Sequence, residues 1–101
     1  MQKAIDSIVS QLVANYKPEK IILFGSAARG DMGPDSDVDL CVIKDTKRRF
    51  YDRISDVQEN LRSDKAVDVL VYTPSEFNRL TAESWFVGEE IVKNGKIIYA
   101  V

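Results

Sequence analysis

No histidine occurs in these 101 residues. Its absence removes the commonest general base, the usual zinc ligands and any Ser-His or Cys-His pair. Cysteine is reduced to Cys41 alone, so no internal disulfide can form. With no signal peptide in view, the chain is expected in a reducing cytoplasm. The apolar runs are far shorter than the roughly 20 residues a membrane helix needs, so no membrane segment is expected. Charge is nearly balanced, with 14 Lys and Arg against 16 Asp and Glu and a pI near 5.1. No overall basic field draws the chain to nucleic acid or to a membrane surface. Proline and glycine are scarce, at three and five, and no repeat, linker or low-complexity segment interrupts the pattern. The expectation is one modest globular domain covering 1–101.

What is present concentrates between residues 21 and 43. Residues 21–24 form a short unbroken apolar run, which fits an interior strand covered on both faces. Gly25 then lets the backbone turn sharply and approach a ligand with no Cβ in the way. Ser26–Arg29 has weak helical character, Gly30 can close it, and residues 31–35 are loop by composition. In the next strand, starting from Asp37, side chains alternate faces: Asp37, Asp39 and Cys41 share one, while Val38, Leu40 and Val42 share the other. The apolar face needs a core. The acidic face needs a cation or solvent, because like charges so close repel.

The flanking segments read as scaffold. Ile5, Ile8, Val9, Leu12, Val13 and Tyr16 lie on one face of a helix, which Lys17-Pro18 ends. Residues 44–53 are locally basic, and Phe50, Ile54, Val57 and Leu61 then trace a helical face. The plain reading of those charges is a solvated helix start; the sharper one is a patch that attracts a triphosphate or RNA. Residues 66–72 form a third strand with one inconsistency. Asp68 shares a face with Leu70 and Tyr72 by alternation, and an acid buried in an apolar strand is costly unless paired or metal-bound. Thr73-Pro74-Ser75-Glu76 has the form of a capped helix start, with Phe77 and Leu80 turned inward. Trp85, Phe86, Ile91 and Val92 suggest a further helix stopped by Asn94-Gly95. The same pair would equally serve as a hairpin turn. Residues 97–101 end the chain as a strand or an extended tail.

Asp37, Asp39 and Asp68 converge if the strands that hold them are neighbours. Hard oxygen ligands of this kind suit Mg²⁺, one ion or two, which binds through a few carboxylates plus substrate phosphates. Gly25-Ser26 at a strand-to-helix turn offers backbone N–H groups and a hydroxyl to a phosphate tail. Rival motifs fail on spacing. A calcium loop starting at Asp35 would need glycine where Leu40 stands and glutamate where Thr46 stands. A P-loop would need lysine where Asp31 follows Gly30. The remaining alternative is an acidic loop that merely caps a strand.

Gly25-Ser26-Ala27-Ala28-Arg29-Gly30, followed by Ser36-Asp37-Val38-Asp39-Leu40, resembles the signature of the DNA polymerase β-like nucleotidyltransferases, G-S-x-A-R-G, a short spacer, then S-D-x-D-L. The short length and the third acid in Val67-Asp68-Val69 are similar to the minimal nucleotidyltransferases, commonly the antitoxin half of HEPN–MNT toxin–antitoxin pairs. The resemblance implies an α/β (α+β) fold, a mixed β-sheet flanked by helices. It implies metal binding by Asp37 and Asp39, with Asp68 as third ligand or as base for the acceptor hydroxyl. It places Gly25, Ser26 and Ser36 at the nucleotide, and Arg29 either on phosphate or as an anchor of the short helix. The implied reaction is transfer of AMP from ATP to a tyrosine hydroxyl of a HEPN toxin.

Other classes stay in view. One is an antitoxin that neutralises its partner by contact alone. Another is an enzyme for a small molecule such as an aminoglycoside, although the helical domain that larger relatives use is missing; a second copy of the chain would be needed to build that wall. A nucleic-acid polymerase fragment fits poorly with the acidic pI.

Overall fold

The computed structural model describes residues 2–31, 33 and 37–101. Ser36 lies outside the described residues, as does part of the 31–35 segment. Four strands, β1 (Lys20–Phe24), β2 (Val38–Ile43), β3 (Val67–Tyr72) and β4 (Lys96–Ala100), form one mixed sheet in the order β3-β2-β1-β4. β1 runs antiparallel to both β2 and β4, while β2 and β3 are parallel. A parallel pair needs a long crossover, and here α3 (Phe50–Glu59) supplies it. The other helices are α1 (Gln2–Asn15), α2 (Ser26–Arg29), α4 (Pro74–Glu83) and α5 (Phe86–Lys93), the last wound in π form.

The sheet is buried on both faces, which explains why residues 21–24 of β1 and 40–43 of β2 are unbroken apolar runs. On one face Ile21, Leu23, Leu40, Val42, Val69 and Val71 pack against Ile5, Ile8 and Leu12 of α1 and Val57 of α3. On the other, Ile22, Phe24, Cys41 and Ile43 meet Val87 and Ile91 of α5, with Phe77 and Leu80 of α4 alongside. The site forms on this second face, where the aspartates replace apolar residues at one end of β2 and β3.

Helix ends follow their local chemistry. Lys44 Nζ donates to the carbonyls of Tyr16 (2.6 Å) and Lys17 (3.3 Å), placing a cation on the C-terminus of α1. Thr73 caps α4: its side chain accepts from the Glu76 N–H while the Glu76 carboxylate accepts from the Thr73 N–H. Asn94-Gly95 ends α5 and leads into β4, so the helix-end alternative holds and the hairpin does not. Gly95 is there for space. A Cβ at that position would collide with the carbonyl oxygen of Ile91 and crowd that of Leu23.

Two expectations are corrected. Asp68 is exposed, not buried among apolar side chains. β3 is an edge strand, and its buried residues are Val69 and Val71, further along. The plain reading of the basic 44–53 segment holds at Lys47, Arg48 and Arg49, which are exposed. Lys44 and Arg53 are tied into the fold, and the segment is not a free cationic patch. Lys44 serves α1, and Arg48 forks onto Asp56 at 2.9 Å. Arg53 is buried, donating to Glu76 (2.7 Å) and to the carbonyls of Arg48 and Val71.

The Arg53–Glu76 pair therefore ties α3 to the start of α4. The guanidinium beside Glu76 holds its carboxyl below the ordinary value of 4.5. Stability from this group is complete above that value and is lost as pH falls through the lower folded value. Glu76→Ala is expected to cost about 3 kcal/mol or more, since it strands a buried guanidinium and removes one half of the capping box. Chemical denaturation at neutral pH checks the magnitude. A weaker loss of stability on acidification in Glu76→Gln than in the wild type checks the linkage.

Candidate active site

Parallel pairing of β2 and β3 sets Asp39 beside Asp68 in register, and antiparallel pairing of β1 and β2 sets Phe24 beside Asp39. The chain leaves β1 at Phe24 and turns through Gly25 directly over the Asp39 carboxylate. Gly25 has φ 73° and ψ −151°, a region essentially reserved for glycine. A Cβ there would overlap Asp39 Oδ2. The glycine is thus required twice, by the backbone angle and by the carboxylate pressed against it.

Beyond Gly25 the short helix α2 begins at Ser26 and closes at Gly30, which adopts the left-handed conformation at φ 78°. The Asp31 N–H returns to the Ser26 carbonyl at 3.0 Å. Ala28 packs into the core, and Arg29 faces outward. Its guanidinium donates from Nη1 to Glu90 Oε2 at 3.2 Å and from Nε to Asp31 Oδ2 at 3.4 Å.

The electrostatics are those of a crowded acidic shelf. Asp39 is half-buried, and its carboxyl is pushed above the ordinary range by desolvation, then by the charges of Asp68 and Asp37 and by a hydrogen bond with Asp68; Arg29 opposes the shift. Asp37 is exposed just before β2. The structure thus brings Asp39, Asp68 and Gly25 together, with Asp37 acting on them through its charge. Among the described residues, no three His, Cys, Asp or Glu side chains are already gathered about a metal position. The donor chemistry still fits a hard divalent cation: all three groups are carboxylates, and their mutual repulsion is what such an ion relieves. Cys41 shares the face with Asp39 but is fully buried, and desolvation pushes its thiol up to about 12, so it is inert.

The acidic shelf is distinct from the larger hollows. A cavity of about 660 Å³ opens on the other face of the sheet, lined by residues that include Lys3, Ser7, Arg62 and Asp64 and by none of Asp37, Asp39 and Asp68. Two residues that touch the site are not marked by the sequence as part of it; Phe86 reads there only as part of a helix. Phe86 packs edge-on against Phe24, with ring centroids 5.7 Å apart, and Glu90 holds Arg29. Both come from α5, whose sequence shows only a helical apolar pattern.

The chain belongs to the family described as polymerase beta, nucleotidyltransferase, whose model matches residues 6–101. A Methanocaldococcus jannaschii protein provisionally named a protein adenylyltransferase is 29% identical over 102 residues, covering 97% of each chain. A crystal structure from Sulfolobus solfataricus, provisionally described as a nucleotidyltransferase, superposes with a TM-score of 0.69 at 25% identity over 99% of this chain and 80% of that one. A toxin–antitoxin crystal structure with AMP-PNP shares the fold, with a TM-score of 0.57 at 19% identity over 95% and 73% of the respective chains. The expected fold and enzyme class, a nucleotidyltransferase, both stand. No described helix is long and apolar enough to cross a membrane.

Two outcomes are expected from the crowding. Above the raised folded value of Asp39 its charge opposes folding, a cost absent below the ordinary value of 3.8. At neutral pH without divalent metal, Asp39→Asn should therefore melt higher than the wild type. Mg²⁺ should raise the wild-type melting temperature and do less for the variant. Gly25→Ala should cost roughly 1–3 kcal/mol from backbone strain, plus displacement of the Asp39 side chain. Equilibrium unfolding measures the first effect. A further loss of ATP affinity in the folded fraction, read by calorimetry, measures the second.

Proposed function

We propose that this chain transfers AMP from ATP to a tyrosine hydroxyl of a separate HEPN-type toxin, with Mg²⁺ bound, and so acts as the antitoxin of the pair. The observation that carries this reading is the Asp39–Asp68 pair, set in register on neighbouring strands and overhung by the Gly25 turn. Support for a protein acceptor comes from the name of the Methanocaldococcus relative, a protein adenylyltransferase. The toxin–antitoxin structure with AMP-PNP shares this fold and favours a toxin as the partner.

In this reading Asp37, Asp39 and Asp68 hold the cation, which supplies Lewis-acid polarisation of phosphate oxygens and charge neutralisation when bound. Gly25 lets the backbone approach the triphosphate, and Ser26 opens α2 toward it with its N–H and hydroxyl. Ser36 would add a further polar group from the segment preceding Asp37. The tyrosine oxygen attacks the α-phosphorus, its bond to phosphorus forms, and the bond to the pyrophosphate oxygen breaks. Asp68, the most exposed of the carboxylates in the strands, is the group best placed to take the hydroxyl proton. The leaving pyrophosphate carries away the electron pair. Docking of the acceptor supplies orientation, a large part of phosphoryl-transfer catalysis.

Mass spectrometry of a HEPN toxin incubated with this chain, ATP and Mg²⁺ tests the proposal. One or more added AMP groups on tyrosine are expected, and none with the Asp37→Asn, Asp39→Asn double variant. A toxin neutralised without modification would move the reading to a contact-only antitoxin. Modification of an added aminoglycoside alone would move it to a small-molecule enzyme.

A further inference from the structure

We infer that Glu90 is a positioning residue for Arg29, fixing the guanidinium so that its free edge faces the nucleotide phosphates. This rests on the proposed nucleotidyl transfer and, of the two roles that the family resemblance leaves open for Arg29, takes the one on phosphate. α2 spans only four residues, too short to hold its own orientation. What orients it is tertiary contact. Ala28 is buried beneath it, and Arg29 reaches Glu90, 61 residues away in sequence, at 3.2 Å. The Asp31 contact is local, longer and more exposed at its acid end, so it constrains the side chain less.

Glu90 is itself well fixed. Its helix is seated on the sheet by Val87 and Ile91, which are 1% and 0% exposed. The i→i+5 winding, seen in the Asn94 N–H bond to the Glu89 carbonyl at 3.0 Å, is rare and frequent at functional sites. It places Val87 and Ile91, four residues apart, against the sheet. Phe86 and Glu90, also four apart, both reach the glycine turn. Phe86 packs on Phe24 just before Gly25, and Glu90 takes Arg29 four residues after it. α5 thereby grips both ends of that turn.

The guanidinium geometry gives the pair its use. Arginine carries five donors in a planar fork. Nε and Nη1 are engaged by Asp31 and Glu90, and Nη2 donates to no described residue. A side chain held at Nε and Nη1 by two carboxylates offers Nη2 to an anion with little rotamer entropy left to lose. A merely repulsive carboxylate beside a phosphate site would have the opposite effect on binding, so the sign of the change decides between the two.

The test uses the whole chain in wild-type, Glu90→Ala, Glu90→Asp, Arg29→Ala and double Glu90→Ala, Arg29→Ala forms. ATP affinity in the presence of Mg²⁺ is read by calorimetry and folding by thermal melts. Glu90→Ala should weaken ATP several-fold with its melt little changed, Glu90→Asp should recover part of the loss, and Glu90→Ala should add nothing in the Arg29→Ala background. Unchanged or tighter ATP binding in Glu90→Ala, while Arg29→Ala binds more weakly, would overturn the role of Glu90 and leave the placement of Arg29 standing. Unchanged binding in Arg29→Ala would overturn that placement, and this inference with it. An equal loss from Glu90→Ala with and without Arg29 would also overturn the inference, since Glu90 would then act independently.

Discussion

Two carboxylates forced side by side are the constraint on which the site depends. Asp39 and Asp68 are neighbours because β2 and β3 are parallel and in register, and nothing local favours the pairing. Their repulsion is overcome further along the same strands. Leu40 and Val42 are fully buried beside Val69 and Val71 on one face, while Cys41 and Ile43 are buried on the other. Burial of several such side chains at roughly 1.5–3 kcal/mol each far exceeds the cost of a partly solvated like-charge pair. The apolar sheet acts as a clamp that holds the acids closer than they would stand if free. The raised carboxyl of Asp39, and the glycine that must pass over it, follow from that clamp.

Much of this was legible because β2 encodes two functions by alternation. Val38, Leu40 and Val42 declare a core face, and Asp37 and Asp39 declare a chemical one. The Gly25-to-Gly30 turn was readable for a similar reason, since its residue types have few uses outside such a turn. The Thr73–Glu76 capping box formed as written, because capping is settled within four residues. Asp68 was found for the right position but with the wrong environment. Alternation gives its face, while exposure depends on β3 being an edge strand, which no local pattern reveals.

What escaped the sequence was long-range pairing. Arg53 lies three residues after Phe50 and four before Val57, in the path of the apolar face, and that spacing could have marked it as buried. Its partner Glu76 is in another helix, so the pair itself was invisible. Glu90 is in the same position: a charged residue on a helix of ordinary composition, given its role by Arg29 far upstream. The π winding of α5 and the close backbone approach at Gly95 likewise depend on how α5 meets β1. Acids whose spacing along strands points to one face were readable, even across two strands; side-chain pairs between helices were not.

Cys41 has a use unrelated to catalysis. It sits in a central strand of the sheet, fully buried, two residues after Asp39 in the chain and with its side chain in the second core. Its thiol is unreactive while β2 stays in place, so an alkylating reagent can reach it only when the strand is released from the sheet. As the single cysteine of the chain, it reports on that event without interference. The rate at which a thiol probe labels Cys41 would therefore time the opening of the strand that carries the acids. Comparing that rate with and without added nucleotide and metal would show whether either holds the strand shut.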